Sequence, residues 1–287
     1  MDYITKENKI IIKNLNDFNI THILECGQIF RYKKINETDY IVFSSTECAI
    51  IKLKDNFYEI ECTDVDYFIN FFDLNTNYSE IKEKLSKFNV ILPALKSAYG
   101  IRILKQNPFE MIISFIISAN NNIKRIQAIT QNICEKCGTL YKKLGVSFYA
   151  FPSLEQLKTL TVQDFKNAGT GYRAKYLYEA VRQLENFDYE KINKLSSQEA
   201  SKILLTIQGV GPKVCDCILL FGFNKQDCFP VDTWIIKVYN CFFAKEPTTN
   251  VQLIRKNLVN TFKNLSGYAQ QYLFYYKRSL ENLETSK

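Results

Sequence analysis

Leu204 to Trp234 reads LLTIQGVGPKVCDCILLFGFNKQDCFPVDTW, and the rest of the chain is organised around it. Gly209-Val210-Gly211 separates two apolar helical runs. The first run opens with Ser196-Ser197-Gln198-Glu199, an S-x-x-E capping box, and continues through Ile203, Leu204 and Ile207 at helical spacing. The two glycines are expected to supply the positive φ angles of a short turn. Pro212 then takes a first-turn position whose N–H has no partner in any case. The second helix thus begins with free N–H groups and the positive end of its dipole facing outward, which suits a phosphate. By itself such a turn also ends an ordinary helix.

Lys213 falls on the first turn of the second helix among Val214, Cys215, Cys217, Ile218, Leu219 and Leu220. An amine sheltered from water in this way is available as a nucleophile. Pro230-Val231-Asp232 precedes Thr233-Trp234-Ile235-Ile236, so Asp232 is expected to cap a further helix. A carboxylate beside a sheltered lysine is a candidate catalytic pair, because it stabilises a cationic sugar or moves protons in imine chemistry.

GVGPKVCDCILLF followed by PVDTW resembles the helix-hairpin-helix signature of the HhH-GPD superfamily of DNA glycosylases, most closely its 8-oxoguanine DNA glycosylase/AP lyase branch. The resemblance implies an α+β protein: a small N-terminal twisted antiparallel sheet domain, TBP-like, packed on a mainly α-helical glycosylase domain. The pattern change along the chain puts the two at residues 1–98 and 99–287.

Composition sets compatible bounds. The chain has 287 residues, 46% of them hydrophobic, and 37 Lys plus Arg against 30 Asp plus Glu, a net charge of +7. That is enough apolar content for a sizeable core, and the modest positive balance fits a nucleic-acid partner. Nine cysteines are scattered, with one C-x-x-C at Cys134-Glu135-Lys136-Cys137 and a single histidine, His22. Reduced thiols are expected rather than disulfides, and neither a four-ligand zinc site nor a histidine-based triad has the residues it needs. Related endonuclease-type glycosylases carry an iron–sulfur cluster on four cysteines after the catalytic domain. No cysteine follows Cys241 here, which again points to the 8-oxoguanine branch. The strongest apolar run, Phe109 to Ala119, is broken by Glu110, Ser114 and Ser118 and falls short of the roughly 20 residues a membrane span needs. No catalytic metal or cofactor is expected. The Asn-, Lys- and Ile-rich composition points to an AT-rich bacterial genome, and with the resemblance a cytoplasmic, nucleoid-associated monomer is expected.

In chain order, Lys9 to Lys13, Phe30 to Lys34, Tyr40 to Ser44, Cys48 to Lys54 and Phe57 to Cys62 read as strands. Asn19 to Leu24, Val65 to Phe72 and Tyr78 to Phe88 read as helices, and helical pattern dominates from about residue 99. Four further motifs match the family. In Leu24-Glu25-Cys26-Gly27-Gln28-Ile29-Phe30-Arg31, the resemblance makes the Gly27 carbonyl the lesion reader: 8-oxoguanine has an N7–H donor where guanine has an acceptor. In Ser118-Ala119-Asn120-Asn121-Asn122-Ile123-Lys124-Arg125, it makes Asn120 the filler of the hole left by the expelled base and Arg125 a reader of the stranded cytosine. In Gly169-Thr170-Gly171-Tyr172-Arg173, it makes Tyr172 a wedge and Arg173 a second cytosine reader. In Ser266 to Tyr276, it places Gln270 on the Watson–Crick edge and Phe274 on the base face, with Cys217 closing the other side. Gly209, Val210 and Gly211 become phosphate contacts. The chain departs from eukaryotic members at Trp234, where they carry a histidine, and this bears on phosphate anchoring.

The expected activity is a bifunctional glycosylase/AP lyase that flips out and excises 8-oxoguanine opposite cytosine in double-stranded DNA. Lys213 is the expected nucleophile and Asp232 its electrostatic partner. Two alternatives stay open on sequence: a glycosylase for another damaged base, and a non-catalytic helix-hairpin-helix DNA-binding module.

Overall fold

A computed structural model describes residues 2–285. The N-terminal part holds β1 (Tyr3–Lys6), β2 (Lys9–Ile12), α1 (Ile20–Leu24), β3 (Tyr32–Lys34), β4 (Tyr40–Ser44), β5 (Glu47–Lys54), β6 (Phe57–Cys62) and α2 (Val65–Phe71). The strands form one antiparallel sheet in the order β1-β2-β6-β5-β4-β3. Ile10, Ile60, Ile51 and Tyr40 lie in one cross-strand row, all buried, while Lys9, Lys52 and Glu59 point away. That alternation is what a sheet with one covered face requires. The cover comes from α1 and α2, whose Ile20, Ile23, Phe68 and Phe71 join Phe18 and Phe72 in one buried cluster.

Strand β1 has no such alternation. All its side chains are exposed or half-buried, so nothing in the pattern announced it; it is held by pairing with β2.

Next come α3 (Tyr78–Ser86), α4 (Leu92–Ser97), α5 (Pro108–Ser118), α6 (Ile123–Cys137), β7 (Leu140–Lys143), β8 (Val146–Tyr149), α7 (Leu154–Lys158), α8 (Val162–Asn167), α9 (Arg173–Gln183) and α10 (Tyr189–Lys194). The chain finishes with α11 (Ser197–Leu204), α12 (Pro212–Gly222), α13 (Thr233–Phe242), α14 (Val251–Phe262) and α15 (Ser266–Thr285). These helices share a second core, with α5 buried along its whole inner length and α12 beside it. Among the described residues, no helix is long and apolar enough to cross a membrane. The β7–β8 hairpin was not anticipated either. Its turn is Leu144-Gly145, both at positive φ, and a leucine there gives none of the usual Asn-Gly or Asp-Gly signal.

The chain crosses between the two cores at residues 26–30 and again at 101–104: Cys26, Phe30, Ile101 and Ile103 belong to the helical core, Ile29 and Leu104 to the sheet core. Arg102 sits at this seam, fully buried, donating to Phe72 O at 2.9 Å, Asp17 O at 3.1 Å and Thr76 O at 3.0 Å, with Asp73 O as a further acceptor. A buried guanidinium is tolerated only when its donors are used in this way. Gly27 is therefore placed where the two layers meet.

Candidate active site

Ser196 and Glu199 close the capping box of α11 as expected. The hairpin that follows differs from the sequence expectation in one respect: only Gly209 has positive φ, at 87°, whereas Gly211 is extended (φ −92°, ψ 177°) and serves as the N-cap of α12. The glycines thus have different jobs. A Cβ on Gly209 would lie 2.9 Å from Tyr176 Cβ and 3.1 Å from Ile116 Cγ2, while one on Gly211 would meet nothing within 4 Å. Val210 is buried in the core, so only its backbone is available to a ligand. Gly209→Ala is expected to cost about 1–3 kcal/mol in urea unfolding. Gly211→Ala should leave the unfolding midpoint in place and weaken duplex affinity, because its side of the turn is open.

Lys213 lies on the first turn of α12, as expected, yet it is half-buried rather than enclosed. Its Nζ stands 5.6 Å from the centroid of the Phe115 ring. One turn on, the Cys217 thiol is pushed up to about 11 by burial, against the pull of the Lys213 charge, which leaves it a neutral wall. Asp232 caps α13, its Oδ1 accepting from Ile235 N–H at 2.9 Å. Burial raises the Asp232 carboxyl above its ordinary range, opposed by that N–H and by the Lys213 charge. Among the described residues no ion pair joins Lys213 to Asp232; instead both border one cavity of about 540 Å³ together with Gly27, Trp234 and Phe274. An amine and a carboxylate across a gap, rather than locked together, leave space for a reacting atom between them.

Beside this cavity a narrow crevice of about 40 Å³ is bounded by Gly27, Lys213, Cys217, Gln270 and Phe274. At that size it is too small to take a purine. Gly27 is at φ +82°, and a Cβ there would stand 3.2 Å from Phe274 Cε1. Gln270 is buried with its Oε1 taken by Gln271 Nε2 at 2.7 Å. Residues 27, 213, 217, 232, 270 and 274 all border this crevice.

A third opening, of about 460 Å³, adjoins the same Lys213 and Asp232 and reaches Asn120 and Trp234. Asn120 is exposed at φ 49°, Asn121 Nδ2 donates to Ile117 O at 3.1 Å, and Asn122 caps α6 by accepting from Arg125 N–H at 3.0 Å. The three asparagines thus end one helix, turn and start the next. Arg125 is exposed, with Nη2 3.4 Å from Gly169 O, and Tyr172 is 57% exposed with its hydroxyl 3.3 Å from Ala119 O. Arg173 differs from an outward-facing reader. It is buried and donates to Ala119 O at 2.7 Å, Asn120 O at 2.8 Å and Thr170 O at 3.2 Å, holding the asparagine turn.

The family described as 8-oxoguanine DNA glycosylase, N-terminal domain, matches residues 10–112, and the HhH-GPD superfamily of base excision DNA repair proteins matches residues 113–263. The chain belongs to the 8-oxoguanine glycosylase branch of the HhH-GPD superfamily. A Clostridium acetobutylicum 8-oxoguanine glycosylase/lyase, solved with double-stranded DNA containing cytosine opposite 8-oxoguanine, is 36% identical with a TM-score of 0.92, covering 98% of this chain and 99% of that one. Its apo-form is 37% identical with a TM-score of 0.89, covering 96% and 98%. An N-glycosylase/DNA lyase of Saccharomyces cerevisiae is 29% identical over 320 residues, 91% of this chain and 84% of the relative.

Within this glycosylase, sequence reasoning missed Asp216. It is buried on α12 three residues after Lys213, and Arg255 of α14 grips it with two bonds, Nε to Oδ2 at 2.5 Å and Nη2 to Oδ1 at 2.8 Å. A charged residue inside the run CDCILLF was the available signal. The pair fixes the helix that presents Lys213. At Trp234, the position that departs from eukaryotic relatives, the indole lies beneath Lys237, whose Nζ is 4.8 Å from the ring. His22 is half-buried, its ring 5.0 Å from that of Tyr99 and 5.1 Å from that of Tyr275, and desolvation lowers it to about 4, so the one histidine of this glycosylase stays neutral at physiological pH.

Proposed function

We propose that the protein is a bifunctional DNA glycosylase/AP lyase that flips 8-oxoguanine out of duplex DNA, with cytosine opposite, and excises it through a Schiff base on Lys213. The observation that carries this reading is the convergence of Lys213, Asp232, Gly27 and Phe274 on one cavity. The sheet-bearing part contributes the Gly27 loop, and the helical part, whose core takes in α3 and α4 short of the expected boundary at residue 98, contributes the chemistry. In the first step Lys213 Nζ attacks the deoxyribose C1′ as the bond to the base breaks, the electron pair leaving with the base. Asp232, as a carboxylate, stabilises the positive charge that builds on the sugar. The sugar ring then opens to an imine, a 2′ proton is removed and the C3′–O bond breaks, cleaving the strand by β-elimination.

Base choice follows from hydrogen-bond sign. The Gly27 carbonyl accepts from N7–H of 8-oxoguanine and repels the lone pair that guanine has there, a penalty of the kind that gives large discrimination. Gln270 reads the Watson–Crick edge and Phe274 and Cys217 enclose the ring once Phe274 has moved aside. Asn120 and Tyr172 occupy the duplex at the vacated position, and Arg125 reads cytosine, with Arg173 joining it only if the duplex draws it from the asparagine turn. The backbone of Gly209 to Gly211 holds phosphate. The enzyme works on chromosomal DNA in the cytoplasm.

The test is excision of 8-oxoguanine, thymine glycol and alkylated purines opposite each of the four bases. The reading requires 8-oxoguanine opposite cytosine to be the best substrate, and a preference for another lesion would overturn it. Arg125→Ala should reduce the preference for cytosine over adenine by about 10-fold, since a bidentate base contact is worth about 1–3 kcal/mol. Equal excision opposite cytosine and adenine by the unaltered enzyme would remove the role given to Arg125.

A further inference from the structure

The two elements proposed to read the base come from opposite ends of the chain, Gly27 ahead of β3 and Phe274 in α15. Arg278 lies one helical turn beyond Phe274, on the same face. Its Nη2 donates to the main-chain carbonyl of Glu25, two residues before Gly27, and its guanidinium carbon stands 5.4 Å from the Phe274 ring centroid. Its Nη1 is buried with no hydrogen-bond partner among the described residues. The arginine is thus committed to a carbonyl of the Gly27 loop and to the ring that closes the base crevice.

The other flank of Gly27 is held separately. Gln28 is fully buried, its Nε2 donating to Ile23 O at 2.9 Å and Arg102 O at 2.7 Å, while its Oε1 accepts from Leu104 N–H at 2.8 Å. Its main-chain carbonyl accepts from Gln106 Nε2 at 2.8 Å. The left-handed glycine is therefore strung between a rigid anchor on its C-terminal side and Arg278 on its N-terminal side. Glycine reaches this conformation without strain, so the two anchors fix where its carbonyl points rather than permit its backbone angle.

We propose that Arg278 is a positioning residue for lesion recognition, coupling the Phe274 ring to the Glu25–Gly27 segment so that the stacking surface and the reading carbonyl are set as one unit. The crevice is too small for a base until Phe274 shifts, and the guanidinium over the ring is what carries that shift to the loop. An alignment error at the carbonyl weakens the N7–H contact without touching Lys213 or Asp232. This inference rests on Gly27 and Phe274 reading the base.

The experiment compares Arg278→Met, Arg278→Lys and Gly27→Ala on two duplexes, one with 8-oxoguanine opposite cytosine and one with a preformed abasic site. Arg278→Met keeps the aliphatic stem and loses the donors. Its kcat/KM for 8-oxoguanine should fall by about 10- to 100-fold, the scale of a misplaced reacting geometry, with at least several-fold less effect on abasic-strand cleavage. Arg278→Lys, with one point donor in place of the fork, should lie between the two. Equal losses on both duplexes, or no loss on either, overturn the proposal, and Arg278→Lys carries the same comparison if the methionine variant does not fold. Gly27→Ala separates the two levels. If it keeps its preference for 8-oxoguanine, the reading of Gly27 is wrong; if it loses that preference while Arg278→Met keeps it, the coupling alone is wrong.

Discussion

Lys213→Gln is expected to lose base excision by more than about 10⁴-fold, the scale seen when the nucleophile of a catalytic unit is removed, and to form no covalent adduct with lesion DNA on borohydride reduction. Glutamine is one atom shorter but keeps a flexible stem and a polar, uncharged end, so the hairpin, the capping of α12 and the Asp216–Arg255 grip are left in place. Duplex affinity should therefore change little while both excision and strand cleavage disappear together. A non-catalytic helix-hairpin-helix module predicts the opposite for the unaltered protein, binding without any adduct. Single-turnover kinetics on an 8-oxoguanine duplex, with affinity measured in parallel, separate the two.

Asp232→Asn should be the second largest effect, a loss of about 10²–10³-fold in excision, in the range of removing a preorganised electrostatic stabiliser. Asparagine caps a helix as well as aspartate does, so the bond to Ile235 N–H survives and the loss reports charge rather than a frayed α13. The stability change has a sign that can be worked out. Burial raises the Asp232 carboxyl above its ordinary 3.8, so the folded state binds this proton more tightly than the unfolded chain. The contribution favours folding below the ordinary carboxylate range and is lost as pH rises through the raised value, leaving an ionised carboxylate that the fold tolerates at a cost. Asp232→Asn should therefore unfold at the same temperature as the unaltered protein or higher at neutral pH, and the difference should shrink in acid. A less stable but catalytically normal variant would mean that Asp232 is only a cap. The acid limb of kcat/KM should lie above the ordinary carboxylate range and vanish in the variant.

The sheet was legible where one face is covered. Phe57–Cys62 has the bounds its alternation implies, because the buried positions repeat every second residue, and Tyr40–Ser44, buried except at Phe43, has the bounds of its β-branched and aromatic run. Strand β1 and the β7–β8 hairpin escaped, the first for want of any buried face and the second because Leu144 adopts a positive φ that its side chain does not advertise. The chemistry was legible because it is local: a lysine, a cysteine one turn later and a capping aspartate lie within one stretch. What could not be read there was the contact of Gly27 with Phe274, made only when α15 returns to the seam between the layers. Arg278 lies outside any motif and Gln28 and Asp216 sit inside motifs that assign them no role, so the parts they play follow from burial and partners that only folding creates. The hairpin shows the converse, since two glycines in one motif proved to serve different ends, Gly209 a close approach inside the protein and Gly211 an open face outside it.

The most direct test of the account is to react the protein with a duplex containing 8-oxoguanine opposite cytosine in the presence of borohydride and to locate the reduced adduct by peptide mass spectrometry. The account predicts one DNA-linked peptide, modified at Lys213. An adduct on another amine, or excision of the base with no trapped adduct at all, would contradict it.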